Sequence, residues 1–338
     1  MPESSFFRAG RLLRAGAAFV VLIALAGYLV AQYTSGRRAQ ARCQVVSGGD
    51  RGPSYQLTAE QAVNAATISA VGTSRGMPGR AVTIALATAL QESGLRNLPH
   101  GDRDSLGLFQ QRPSQGWGTK AQIMDPAYAA GQFYAHLAKV PQYTALPLTE
   151  AAQRVQRSGF PDAYAKHEPD ARLLAAAFTG QAPGTLSCRG DYDGTPGDPA
   201  KVRRALVRDF GSAVLAPVAD ASPAGGAAGA AGHPAPSKTP SATPVPGTVT
   251  VPVAPGNGQE QRRGWELAHW AVANSSALGI RRVDYAGRRW SAGQDTTDVA
   301  WPRVPAPRDT GQGASGPGKS AGGGTADSYG QVRIATAP

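Results

Sequence analysis

The residues best suited to chemistry lie at the end of a helical segment, where Glu92 and Ser93 precede Gly94. The segment from Pro78 is apolar on every side, which predicts a buried helix that ends at Gly94. A carboxylate in the last turn faces the negative end of the helix dipole, and apolar surroundings add to the cost of its charge. A carboxyl group held in this way suits proton donation, so Glu92 is the candidate general acid. A glutamate that turns to solvent is the alternative.

A polar loop follows this helix and contains two further carboxylates, Asp102 and Asp104. Either could supply the second carboxylate of a hydrolytic glycosidase, or both could form turns and carry solvated charges. The loop leads into a segment whose polar side chains could hold a substrate or the loop itself, and whose apolar side chains could pack beneath it: Ser105, Gly107, Leu108, Phe109 and Gln110.

Together, these two elements resemble the lysozyme-like superfamily, specifically the soluble lytic transglycosylases and related phage and actinobacterial wall hydrolases. Members carry a Glu-Ser pair at the end of a central helix, followed by a Ser-x-Gly-Leu-(Phe/Met)-Gln segment. The matching positions here are Glu92, Ser93 and 105–110, and the resemblance extends from Leu57 to about Cys188. It implies a cleft beside the central helix, with substrate contacts in both elements.

The resemblance also implies cleavage of peptidoglycan glycan strands between N-acetylmuramic acid (MurNAc) and N-acetylglucosamine (GlcNAc). In a lytic transglycosylase, one glutamate protonates the leaving oxygen and then draws the C6 hydroxyl of the sugar onto the anomeric carbon, which leaves a 1,6-anhydro sugar. Glu92 would suffice for this chemistry. The alternatives are a hydrolytic muramidase that uses Asp102 or Asp104 as well, and a non-catalytic peptidoglycan-binding protein.

Two aromatic residues are further candidates for substrate contact. Trp117 lies in a glycine-rich turn and could form one wall of a sugar cleft or pack in the core. Tyr164 could play the part of the tyrosine in the Ala-Tyr-Asn segment of the transglycosylases, although its neighbours depart from that pattern. A packed or surface tyrosine is the alternative interpretation.

A metal centre is the third chemical possibility, since His100, Asp102 and Asp104 alternate as hard ligands could. No second cluster of ligands joins them, and a single histidine in a polar loop is usually solvated. No Ser-His-Asp or Cys-His set is recognisable from the spacing. The sequence therefore predicts neither a metal nor another cofactor.

Charge and hydropathy bear on localisation and partners. The chain has 338 residues and a net charge of +11, which suits polyanions such as nucleic acid, anionic lipid or acidic wall polymers. The apolar run 15–33 is long enough to cross a bilayer as a helix. It predicts a single-pass cell-membrane protein with a cytoplasmic N-terminus and an extracytoplasmic catalytic domain, which excludes nucleic acid as a partner. A cleaved signal peptide is the alternative.

Cys43 and Cys188 are the only cysteines, and they bracket the lysozyme-like segment. On the predicted topology both are exported, so a disulfide is expected. Closing so long a loop would stabilise the fold by about 4 to 5 kcal/mol in the chain-entropy model. Two free thiols are the alternative.

The predicted fold class is mainly α, with a lysozyme-like (α+β) domain after one transmembrane helix and a small C-terminal α/β domain after a Pro/Ala/Gly-rich linker. The C-terminal part resembles a small domain appended to several actinobacterial wall hydrolases, with a binding or structural role. The predicted boundaries are a cytoplasmic tail 1–14, an anchor 15–33, a juxtamembrane linker 34–53, the lysozyme-like domain 54–190, a helical connector 191–215, a disordered linker 216–260 and the C-terminal domain 261–338.

Overall fold

The computed structural model describes Ile23 and residues 43–48, 52–189, 196–216, 246–254, 259–293, 301–304 and 330–338. Two compact units are distinguished, Met1–Arg42 and Cys43–Pro338, and every element below belongs to the second. Its helices are α1 (Ala59–Ser74), α2 (Gly79–Ser93), α3 (Lys120–Ile123), α4 (Pro126–Leu137), α5 (Leu148–Gln156), α6 (Glu168–Phe178), α7 (Pro199–Phe210), α8 (Glu260–Ala273) and α9 (Ser275–Leu278). Its strands are β1 (Cys43–Val46), β2 (Ser54–Leu57), β3 (Leu186–Cys188), β4 (Thr248–Pro252), β5 (Ile280–Tyr285), β6 (Arg288–Ser291) and β7 (Gln331–Thr336).

The structure contradicts the predicted fold class and localisation. The chain is not mainly α, because helices and two antiparallel sheets both build the described part. None of the described helices is long and apolar enough to cross a membrane. The longest, α1, has 16 residues, whereas a span needs about 20. The predicted membrane anchor and single-pass localisation are corrected accordingly. Of residues 15–33, all but Ile23 lie outside the described residues.

Local sequence signals fix the ends of the helices around the candidate site. The Thr58 hydroxyl accepts from the Gln61 backbone N–H, and the Gln61 side chain accepts from the Thr58 N–H, so the two residues form a capping box at the start of α1. Helix α2 begins after Pro78 and ends at Gly94, whose φ of 63° is left-handed, as predicted. Almost every residue of α2 up to Leu90 is buried, which confirms the predicted buried helix. Helix α2 packs against α1, α4, α5 and α6.

A three-stranded sheet, ordered β2-β1-β3, is formed by two strands that precede helices α1 to α6 in the chain and one that follows them. The antiparallel register of β1 and β3 sets Cys43 directly opposite Cys188, and the predicted disulfide between them is confirmed. The bond therefore joins the strand before the helices to the strand after them. Strand β1 falls inside the stretch predicted as a juxtamembrane linker.

The second sheet has four strands in the order β4-β7-β5-β6, and α8 packs on its inner face. Strand β4 falls inside the stretch that was predicted as a disordered linker. It forms a strand in which Val249 and Val251 alternate with polar residues and are fully buried. Residues 217–245 of that stretch lie outside the described residues. Helix α8 also contacts α1, α6 and β3, so the C-terminal elements share an interior with the helical part.

A buried carboxylate joins three of these helices. Asp209 of α7 is 2% exposed and accepts hydrogen bonds from the Thr67 hydroxyl of α1 (3.1 Å) and the Trp270 indole N–H of α8 (2.7 Å). The neighbouring Arg208 donates to it at 2.7 Å. Every oxygen of this buried charge therefore has a donor, as a stable interior requires.

Candidate active site

Glu92 is half-buried in the last turn of α2, and a tyrosine bonds to it from another element. The Tyr164 hydroxyl donates a hydrogen bond of 2.6 Å to Glu92 Oε1. Tyr164 lies on the 3₁₀-helix Pro161–His167, and its side chain is fully buried. Burial, followed by the hydrogen bond to Glu92, raises the pKa of Tyr164 well above its usual value. The phenol therefore stays protonated and serves as a fixed donor to the carboxylate.

The Ser105–Gln110 segment is attached to the end of α2 through Ser93. The buried Ser93 hydroxyl donates to the Leu108 carbonyl at 2.7 Å. On the other side, the Gln156 side chain of α5 donates to the Phe109 carbonyl at 2.8 Å. Leu108 and Phe109 are fully buried, so their side chains pack in the core, as the sequence predicted. Two side chains thus hold the segment beside Glu92.

The segment itself folds back in a tight turn. Leu106 and Gln111 exchange two backbone hydrogen bonds of 3.0 Å. Gly107 has φ +79°, and a Cβ there would lie 2.8 Å from the Ile123 carbonyl oxygen, so only glycine fits. Within the turn, the Ser105 hydroxyl donates to Gln110 Oε1 (3.0 Å), and Gln110 Nε2 donates to the Gly107 carbonyl (3.2 Å). In this structure, Ser105 and Gln110 hold the turn together.

The two loop carboxylates have different surroundings from Glu92. The Asp102 side chain is 93% exposed, and its nearest cation, Arg103, lies 3.8 Å away. Asp104 accepts from the Arg112 guanidinium and the Ser114 backbone N–H, both at 2.9 Å. Arg112, followed by Ser114, holds the pKa of Asp104 well below its usual range. Asp104 therefore forms an ion pair with Arg112 and helps to fix the conformation of the loop.

Trp117 is half-buried and lies over His136, with ring centroids 4.1 Å apart. The ring packs against the hydrophobic core from one side, which corresponds to the packing alternative of the sequence interpretation. Among the exposed large apolar side chains of the described residues, the only aromatic one is Phe160, which is 76% exposed and precedes the 3₁₀-helix that carries Tyr164.

Sequence reasoning missed two side chains beside the site. Gln156 contacts a residue 47 positions earlier. His167 contacts Gln91, the residue before Glu92, through Nε2 and Oε1 at 3.1 Å. Burial, followed by the charge of Lys166, lowers the pKa of His167, which favours a neutral ring. Neither contact leaves a local signal, since each depends on how α5 and the 3₁₀-helix pack on α2.

Among the described residues, no group of three or more His, Cys, Asp or Glu side chains could hold a metal ion. No family model matches the chain, and no curated protein matches it. The resemblance to the lysozyme-like superfamily therefore stays a prediction from the sequence motif.

Proposed function

We propose that this chain cleaves peptidoglycan glycan strands between MurNAc and GlcNAc, with Glu92 as the single acid and base. The observation that supports the proposal most is the hydrogen bond from Tyr164 to Glu92 Oε1. It leaves Oε2 as the oxygen that carries a transferable proton. It also stabilises the carboxylate that remains after the proton has left, because hydrogen bonds to charged groups are the stronger ones.

The proposed reaction has two steps. Glu92 Oε2 gives its proton to the glycosidic oxygen, the bond from that oxygen to the MurNAc anomeric carbon breaks, and the GlcNAc side leaves as an alcohol. The Glu92 carboxylate then takes the proton of the MurNAc C6 hydroxyl while that oxygen bonds to the anomeric carbon. The product is a 1,6-anhydro sugar, the glutamic acid is regenerated, and no water is consumed.

The surroundings of the loop carboxylates favour this reaction over hydrolysis with two carboxylates. A second catalytic carboxylate must face the sugar from a fixed position. Asp104 is occupied by Arg112 and Ser114, and Asp102 points largely into solvent. Glu92 is also half-buried, but its donor is the neutral Tyr164 hydroxyl and not a guanidinium group.

The direct test compares clearing of purified peptidoglycan by the wild type and by Glu92→Gln. We expect clearing by the wild type and none above background by the variant, because an amide can neither donate nor accept the proton. Glu150→Gln is the matched control, since Glu150 is 45% exposed on α5 and forms an ion pair with Arg154 of its own helix. Clearing by Glu92→Gln equal to that of the control, or no clearing by the wild type, would refute the proposal.

A further inference from the structure

The outer face of the four-stranded sheet carries a row of polar side chains that crosses all four strands. The register pairs Thr250 with Arg333, Arg333 with Asp284, and Asp284 with Arg289. Directly paired residues point to the same face of a sheet. The adjacent row carries Arg282 opposite Ser291 and Ala335. The residues that alternate with these rows are buried: Val249, Val251, Val283, Trp290, Val332 and Ile334.

Three arginines dominate this outer face, and one aspartate holds two of them in place. Asp284 lies 3.2 Å from Arg282 Nε and 2.5 Å from Arg289 Nε. Arg282 and Arg289 remain 47% and 39% exposed, and Arg333 is exposed as well. Three guanidinium groups and one carboxylate leave the face with a net positive charge. The ion pairs limit the freedom of two long side chains, which lowers the entropy cost of binding a ligand.

We propose that this arginine face, defined as Arg282, Arg289 and Arg333 around Asp284, binds a linear polyol-phosphate polymer. Neighbouring strands lie about 4.8 Å apart, so Arg333 and Arg289, two strands apart, are about 10 Å from each other. Arg282 lies two residues along β5 from Asp284, which is about 7 Å. The three Cα positions thus form a triangle with sides of about 8 to 10 Å, and successive phosphates of one flexible chain laid across it can each meet an arginine. The planar guanidinium binds a phosphate through two hydrogen bonds.

The composition of the face favours a polymer without bases over a nucleic acid. Proteins that bind single-stranded nucleic acids add aromatic side chains, on which bases stack, to a basic surface. The two outer rows contain threonine, arginine, aspartate, serine and alanine, and the aromatic rings of Tyr285 and Trp290 lie on the buried inner face. A face of this composition recognises charge and little else.

The test measures binding of the full chain to poly(glycerol phosphate) at several salt concentrations. With three phosphate contacts, the logarithm of the affinity should fall with the logarithm of salt concentration with a slope of about −2. Replacing all three arginines by glutamine should lower the affinity at least about tenfold and flatten the slope. Arg333→Gln alone should already weaken binding, and it leaves both ion pairs of Asp284 intact.

The matched control removes the same charge from another exposed surface. Lys201, Arg203 and Arg204 are exposed on α7, and replacing them by glutamine should change the affinity less than about twofold. Equal losses in the two triple variants would show attraction by net charge alone and overturn the proposal. It is also overturned if the wild type does not bind, or if a single-stranded oligonucleotide with the same number of phosphates binds more tightly than the polymer.

Discussion

Replacing Tyr164 by phenylalanine removes one hydroxyl group and leaves the buried ring in place. The Glu92 carboxylate formed in the first step would then lack its donor at Oε1. A hydrogen bond to a charged group contributes about 1.5 to 3 kcal/mol, which corresponds to a loss of roughly 10- to 150-fold in kcat. KM should change little, because Tyr164 is fully buried and does not form the surface that a sugar would meet.

The assay is the steady-state rate of product release from a soluble, uncrosslinked glycan, with kcat and KM measured separately. Tyr134→Phe is the matched control, since Tyr134 is also buried and donates to a backbone carbonyl, that of Ile68, at 3.0 Å. It should lower stability by about 1 kcal/mol and leave kcat unchanged. If kcat of Tyr164→Phe lies within twofold of the wild type, or falls equally in both variants, Tyr164 does not act through Glu92.

Three further predictions concern the stability of the fold. Asp209→Ala should lower the free energy of unfolding in urea by about 1 to 3 kcal/mol for each of the two buried donors, Trp270 and Thr67, that lose their acceptor; a total loss below about 1 kcal/mol would contradict this. Burial lowers the pKa of His269 from 6.5 to about 4, so the unfolded chain binds the proton first and stability should fall by about 3 kcal/mol as pH drops from 6.5 to 4. In His269→Phe, this loss of stability between pH 6.5 and pH 4 should be absent. If the free energy of unfolding falls equally with pH in the wild type and the variant, His269 does not cause the loss. The Cys43–Cys188 bond joins cysteines that are 145 residues apart, so reducing it should lower the free energy of unfolding by about 5 kcal/mol. A urea midpoint of unfolding that is the same with and without reductant would contradict this value.

The features that were predicted most accurately from the sequence are those that depend on residues close together in the chain. The predicted end of α2 at Gly94 follows from backbone preference, and the capping box at Thr58 and the Asp125 side chain that caps α4 likewise depend on hydrogen bonds between near neighbours. The disulfide followed from the number of cysteines and their positions around the helical domain. These signals act within a few residues or by elimination, so a single sequence suffices to detect them.

The features that the sequence did not predict depend on contacts between distant segments. Strand β4 lies in a stretch rich in Pro, Ala and Gly, and it is a strand because β7, far along the chain, pairs with it. The docking of α8 on α1 could not be inferred, since its apolar residues are equally compatible with a separate domain. The contact between Tyr164 and Glu92 spans 72 residues. The sequence analysis identified both residues as candidates but did not predict the hydrogen bond between them.

Product analysis tests the central claim most directly. Peptidoglycan is digested in water labelled with heavy oxygen, and the released muropeptides are weighed by mass spectrometry. If Glu92 acts alone through the C6 hydroxyl, the wild type will release fragments that end in an anhydro sugar, are lighter by one water molecule and contain no label, and Glu92→Gln will release none. Labelled reducing ends from the wild type would show that water attacks the anomeric carbon and would contradict the account.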